Sequence, residues 1–113
     1  MDIFTALADN TRRQIVEMLA SKGRLSASQI SDKFTVSPPA ISQHLKVLLQ
    51  AKLVEVEKRS QQRLYQINPG KITELELWVR KMKKVWEDKF DRMEQILAEE
   101  KKINLKKGVK NNG

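Results

Sequence analysis

Few side chains in this sequence are of a type that does covalent or metal chemistry. His44 is the single histidine and there is no cysteine, whereas zinc takes three or four nitrogen, sulfur or carboxylate donors converging on one point. The missing thiols also remove disulfides and cysteine nucleophiles. Glu87, Asp88 and Asp91 cluster in the last third of the chain. They would hold a hard cation only weakly, and solvated surface charge accounts for them better. No glycine-rich phosphate loop, nucleophile–base pair or G-x-S-x-G elbow occurs. The sequence therefore reads as a protein that is not an enzyme, with no metal site and no cofactor.

A different chemistry, that of recognition, lies in "SPPAISQHLKVL", residues 37–48. At 100° per residue, Pro38–Gln50 puts Ile41, Leu45, Leu48 and Leu49 on one face. Pro39, Gln43, Lys46 and Gln50 fall opposite, flanked by Ala40, Ser42 and Val47. An outward face with small residues at its start and Gln, Ser and Lys beside them suits the DNA major groove. There Gln43 can pair with an adenine edge, Ser42 with a base or phosphate, and Lys46 with the backbone. His44 sits at the edge of the apolar face, where a lone histidine is more often a packing and capping residue than a ligand. Taken alone, the segment also fits an ordinary amphipathic surface helix.

The elements around it favour the first reading. Residues 2–8 put Ile3, Phe4 and Leu7 on one helical face. "DNTRRQIVEMLAS" follows with Asp9 or Asn10 as N-cap and an Ile15, Val16, Leu19 stripe, broken at Gly23. Ser26 or Ser28 caps a short helix, "ASQISDKF", buried through Ala27, Ile30 and Phe34. After the turn "TVS", Ser37 caps a longer helix with Pro38 at its first position, where the missing N–H costs nothing. Two helices in this arrangement make a helix-turn-helix. The apolar period then changes to two: Val54 and Val56 alternate with Glu55 and Glu57, and Tyr65 and Ile67 alternate with Gln66. That predicts a β-hairpin with a basic, amide-rich tip, and a winged helix-turn-helix overall.

A final helix is predicted over 71–99, its apolar positions running Leu75, Val79, Met82, Trp86, Phe90, Met93 and Leu97, widened by Trp78, Val85 and Ile96. A stripe this wide exceeds what so small a domain covers, which argues for pairing with a second copy. Folding back over its own core is the alternative. The 113 residues thus divide into one domain, 1–100, and a basic, disordered tail, 101–113. The net charge of +8 and pI of about 9.9 favour a polyanionic partner. No apolar run approaches the roughly 20 residues of a bilayer span, and the N-terminus lacks a signal-peptide pattern. A cytoplasmic protein with no membrane association is expected.

These residues resemble the ArsR-type winged-helix transcriptional repressors. "ALADNTRRQIVEML" is similar to the family's opening signature, with Asn10 where proline is usual. "SPPAISQHLKVLLQAKLVEVEK" is similar to its recognition helix and first wing strand, and "QRLYQINP" to the second. "ELELWVRKMKKVWEDKFDRMEQIL" is similar to the last helix of a cysteine-poor branch with paired tryptophans. The resemblance implies a homodimer on double-stranded DNA with a pseudo-palindromic operator. Ser37, Pro39, Ala40, Ser42, Gln43 and Lys46 would face the groove, and Arg59, Gln62 and Arg63 would be wing contacts. It also implies pairing of the first and last helices, which puts Phe4, Leu7, Trp78, Met82, Trp86, Phe90 and Met93 at the dimer interface. The family's familiar cysteine and histidine metal sites are missing, and so is the usual wing glycine, with Ser60 or Gln61 at the turn. A winged-helix module that binds protein, or a repressor released by a small molecule, remains the alternative. The sequence names no effector.

Overall fold

The computed structural model describes the backbone of residues 1–112 and the side chains of residues 1–105. In chain order the elements are α1 (Ile3–Leu7), α2 (Asn10–Lys22), β1 (Leu25–Ser26), α3 (Ala27–Ser31), α4 (Pro38–Gln50), β2 (Val54–Arg59), β3 (Gln62–Ile67) and α5 (Pro69–Asn112). The chain divides into two compact units, Met1–Leu75 and Glu76–Gly113.

Caps set the helix boundaries of the first unit. Asp9 accepts from the Arg12 N–H and starts α2, and Gly23 ends it with φ of 81°. Ser26 starts α3 in a capping box: its hydroxyl accepts from the Gln29 N–H at 3.2 Å, and the Gln29 side chain accepts from the Ser26 N–H at 2.8 Å. Ser37 starts α4 by accepting from the Ala40 N–H at 3.3 Å. The end of α4 is a Schellman turn. The Leu53 N–H donates to the Leu48 carbonyl at 3.1 Å and the Lys52 N–H to Leu49 at 3.0 Å. Closing it puts Lys52 at φ of 62°.

The core of this unit is Ala6, Ile15, Leu19, Ile30, Ile41, Leu45, Leu48, Leu53, Val54 and Tyr65, with Ala51 beside them. Each fully buried Leu or Ile contributes roughly 1.5–3 kcal/mol relative to exposure. Three of them, Ile41, Leu45 and Leu48, come from α4. The helix is therefore fixed by one face and free on the other.

Two features of the sheet differ from what the sequence predicts. The hairpin is part of a three-stranded antiparallel sheet of order β1-β3-β2, with Leu25 opposite Tyr65 and Ser26 opposite Leu64. A two-residue strand is too short to show any apolar period. Val56, expected to face inward, is 43% exposed although Val54 is buried. At that level the core is closed by Tyr65, which stands opposite Val56 on β3 and is buried, and past this pair β2 and β3 extend as a ribbon.

In α5, Pro69 stands at the first position, and the Asn68 side-chain oxygen accepts from the Gly70 N–H at 3.1 Å. From its apolar period this helix is expected to end near Glu99, with 101–113 as a tail. The backbone is helical to Asn112, and the tail's side chains from 106 onward lie outside the described residues.

Candidate nucleic-acid interface

Burial of Ile41, Leu45 and Leu48 turns the opposite side of α4 to the surface. Ser37, Pro39, Ser42, Gln43 and Lys46 are exposed there, and Ala40 is half-buried. All six groove residues expected from the sequence thus belong to the cap and the first two and a half turns of one helix. Val47 and Leu49 pack against the core instead. At the start of this face, Ser42 and Pro38 share a hollow with Ser28 and Ser31 of α3. From the sequence Ser28 is only a candidate helix cap, a role that falls to Ser26, and Ser31 carries no signal; the packing of α3 against α4 brings both hydroxyls there.

The wing residues are exposed but divided. Arg59 pairs with Gln62, Glu57 with Leu64, and Lys58 with Arg63 across the ladder. Since side chains alternate along a strand, Arg59 and Gln62 lie on the face that carries Glu55 and Glu57. Arg63 lies on the other face with Lys58. On the first face Glu57 pairs with Arg24 at 3.1 Å and with Arg59 at 3.4 Å. The Arg24 Nε–H also donates to the Gln66 side chain at 2.6 Å. Arg59 is therefore partly neutralised within the wing. No ion pair among the described residues includes Lys58 or Arg63. Lys58 was not singled out from the sequence, and only the hairpin register reveals it beside Arg63. Between the strands, Ser60 takes φ of 57°, the left-handed conformation that the missing glycine would adopt without strain.

His44, half-buried on α4, is less isolated than its position on the wheel implies. Its Nδ1 lies 3.3 Å from an Arg12 terminal nitrogen and 3.8 Å from the Asp9 carboxylate. The same guanidinium donates to the Ala6 carbonyl at 2.7 Å and the Thr5 carbonyl at 3.2 Å, at the end of α1. Asp9 is held below the usual carboxylate range, first by the Arg12 N–H it accepts and then by the His44 and Arg12 charges, against the opposing effect of burial.

The expected interface residues are apolar and largely at the surface. In the first unit Phe4 is exposed and Leu7 is half-buried against the core. Along α5, Trp78, Met82, Trp86, Phe90 and Met93 are all exposed, together with Val79, Val85, Ile96 and Leu97. Among the described residues no three His, Cys, Asp or Glu side chains gather to hold a metal, and no helix is long and apolar enough to cross a membrane.

Comparison with known proteins gives this arrangement a family context. The family profile described as "Bacterial regulatory protein, arsR family" matches residues 9–56, from the cap of α2 into β2. The chain is similar to the HTH-type transcriptional regulator Rv2034 of Mycobacterium tuberculosis, 50% identical over 64 residues, which is 57% of this chain and 59% of that protein. It is also similar to the transcriptional repressor SdpR of Bacillus subtilis, 36% identical over 67 residues, 59% of this chain and 73% of that protein. The chain thus spans less than two thirds of Rv2034 but more than two thirds of SdpR. Among solved structures it is similar to the homodimeric winged helix-turn-helix DNA-binding domain of Mb0332 from Mycobacterium bovis. That likeness has a TM-score of 0.58 and 26% identity, over 69% of this chain and 71% of that one.

Proposed function

The chain belongs to the ArsR family of bacterial regulatory proteins, and from that premise we propose that it is a dimeric, sequence-specific DNA-binding repressor of transcription. One observation carries the reading: α4 is pinned by Ile41, Leu45 and Leu48 while Ser42, Gln43 and Lys46 stand outward from its capped end. A rigid helix bearing amide, hydroxyl and ammonium groups is what major-groove readout needs. Gln43 is the base reader, Ser42 reads a base or a phosphate, and Lys46 meets the backbone. Ser37, Pro39 and Ala40 permit close approach. Arg59, Gln62 and Arg63, with Lys58, flank the duplex.

Two copies join through the exposed apolar residues of α5, with Phe4 and Leu7 of α1 contributing. They present two reading helices to a pseudo-palindromic operator. Residues 1–100 form this DNA-binding and dimerisation domain, and the basic segment 101–113 is a tail. The protein works in the cytoplasm, and its release from DNA does not run through a cysteine or histidine metal site. The family and the relatives are transcriptional regulators, not enzymes.

The test begins with selection of a preferred duplex from random DNA. Gln43→Ala should then lose roughly 1–3 kcal/mol on that duplex and little on random sequence. Equal weakening on both would remove Gln43 from base reading. Failure of the unaltered chain to retard any duplex at moderate salt would overturn the whole proposal.

A further inference from the structure

The groove face of α4 does not include His44, yet His44 is the side chain through which α4 makes a polar contact with the N-terminal helices. Arg12 extends its guanidinium from the first turn of α2. Two of its nitrogens are committed to the Ala6 and Thr5 carbonyls, and a third lies against the His44 Nδ1. A guanidinium has donors only. A hydrogen bond from Arg12 to Nδ1 therefore makes that nitrogen the acceptor in a neutral ring with its proton on Nε2, whereas a proton on Nδ1 would face the Asp9 carboxylate instead. The two α1 carbonyls fix the plane of the guanidinium, so Arg12 is not free to follow His44 if α4 shifts. Asp9, 3.8 Å from Nδ1, holds the other side through its cap on the Arg12 N–H. Among the described residues these are the charged groups that face the ring.

We propose that His44 is a positioning residue for the reading helix, held by Arg12 so that α4 keeps one rotation about its axis relative to α1 and α2. Apolar packing of Ile41, Leu45 and Leu48 fixes how deep α4 sits but tolerates small rotations, because it is non-directional. A hydrogen bond between a planar fork and a ring nitrogen is directional. A rotation of α4 moves Ser42 and Gln43 off their partners at the base edges, whereas contacts from long, flexible lysine side chains survive it. The inference rests on the DNA-reading proposal above and adds that sequence discrimination depends on a residue outside the groove.

The chain's single histidine makes the test direct. Long-range ¹H–¹⁵N spectra of the full chain report one imidazole without overlap. The expected result is the Nε2–H tautomer with Nδ1 as acceptor, shifting toward a mixture in Arg12→Lys, which keeps the charge but loses the fork. A mixed or Nδ1–H ring in the unaltered chain would overturn the proposal without any variant having to fold.

In binding, His44→Leu should lose about tenfold on the selected duplex, with random-duplex affinity and salt slope unchanged. His44→Gln, whose amide oxygen can accept from Arg12, should recover most of that loss. Equal affinity of His44→Leu and the unaltered chain on the selected duplex would overturn the assignment while leaving DNA binding intact. A parallel loss on both duplexes with a salt slope smaller by about one would instead make His44 a phosphate contact, which also overturns it. Should His44→Leu unfold, Arg12→Lys is read on the same two duplexes. If the unaltered chain selects no duplex at all, it is the DNA-reading proposal that fails.

Discussion

Lys58 and Arg63 stand directly opposite one another across the β2–β3 ladder, past the last core residue of the sheet. Like charges at such a site destabilise a hairpin by roughly 0.2–1 kcal/mol, and no described carboxylate pairs with either. On the other face of the same ribbon, Glu57 pairs with Arg24 and Arg59, and Glu55 on that face sets two carboxylates against the two guanidinium groups. The wing thus has one internally balanced face and one that carries uncompensated positive charge.

Arg63→Gln should therefore raise the stability of the free protein by a few tenths of a kcal/mol at low salt, and it should lower duplex affinity with a salt slope smaller by about one. Arg59→Gln should do less to affinity, because part of its charge is already spent on Glu57. Urea unfolding and salt-dependent binding of both variants measure this. A larger loss of affinity for Arg59→Gln than for Arg63→Gln would reverse the assignment of the two faces.

Lys52 occupies the left-handed position that closes the Schellman turn after α4. For a non-glycine residue that conformation costs roughly 1–2 kcal/mol, partly offset because glycine loses more backbone freedom on folding. Lys52→Gly should thus stabilise the protein by about 0.5–1 kcal/mol. Lys52→Val should destabilise it, since β-branched side chains tolerate positive φ least. Thermal unfolding of the two variants decides, and a Lys52→Gly variant less stable than its parent would contradict the argument.

These sites show which features the sequence made legible. Caps are local, so Gly23 and Ser37 marked their helix ends directly, the start of α2 was narrowed to Asp9 or Asn10, and the period of Ile41, Leu45 and Leu48 marked the buried face of α4. Strand β1 escaped because two residues carry no period. Lys58 escaped because its meaning lies in the partner across the ladder. Ala6, fully buried, escaped because a small side chain gives little apolar signal between Phe4 and Leu7. The contact of His44 with Arg12 spans 32 positions of sequence, and no local pattern encodes it. On the helical wheel His44 is a packing and capping residue; the fold gives it specific polar partners.

Asp9 is a charged cap whose carboxyl group titrates below the ordinary aspartate value of 3.8 in the folded chain. A carboxylate lowered on folding contributes stability that is present above the unfolded value and lost as pH falls through the folded one. Asn caps a helix about as well as Asp. Asp9→Asn should therefore change stability near neutrality by less than about 1 kcal/mol but lose less stability below about pH 3.8. Asp2, also held low by its cap on the Thr5 N–H, keeps part of the acid sensitivity in that variant. Urea midpoints across the acid range test this, and identical acid limbs for variant and parent would refute a contribution from Asp9.

Trp86 and Phe90 lie four residues apart on α5, 66% and 49% exposed, with Met82 and Met93 continuing the stripe on either side. Helical residues at that spacing share a face, so the four side chains make one apolar surface, and large apolar patches mark interaction sites on soluble proteins. If a second copy covers it, aromatic side chains near its centre each contribute about 2 kcal/mol or more to association. In an isolated chain their truncation costs little, because they bury little. Trp86→Ala combined with Phe90→Ala should therefore shift the protein from dimer to monomer in sedimentation velocity while its far-ultraviolet circular dichroism at high concentration changes only slightly. Affinity for a duplex with two half-sites should fall steeply, and affinity for a single half-site should stay within about twofold, since binding to one half-site gains nothing from linkage. A double variant that sediments as a dimer would move the interface away from this stripe.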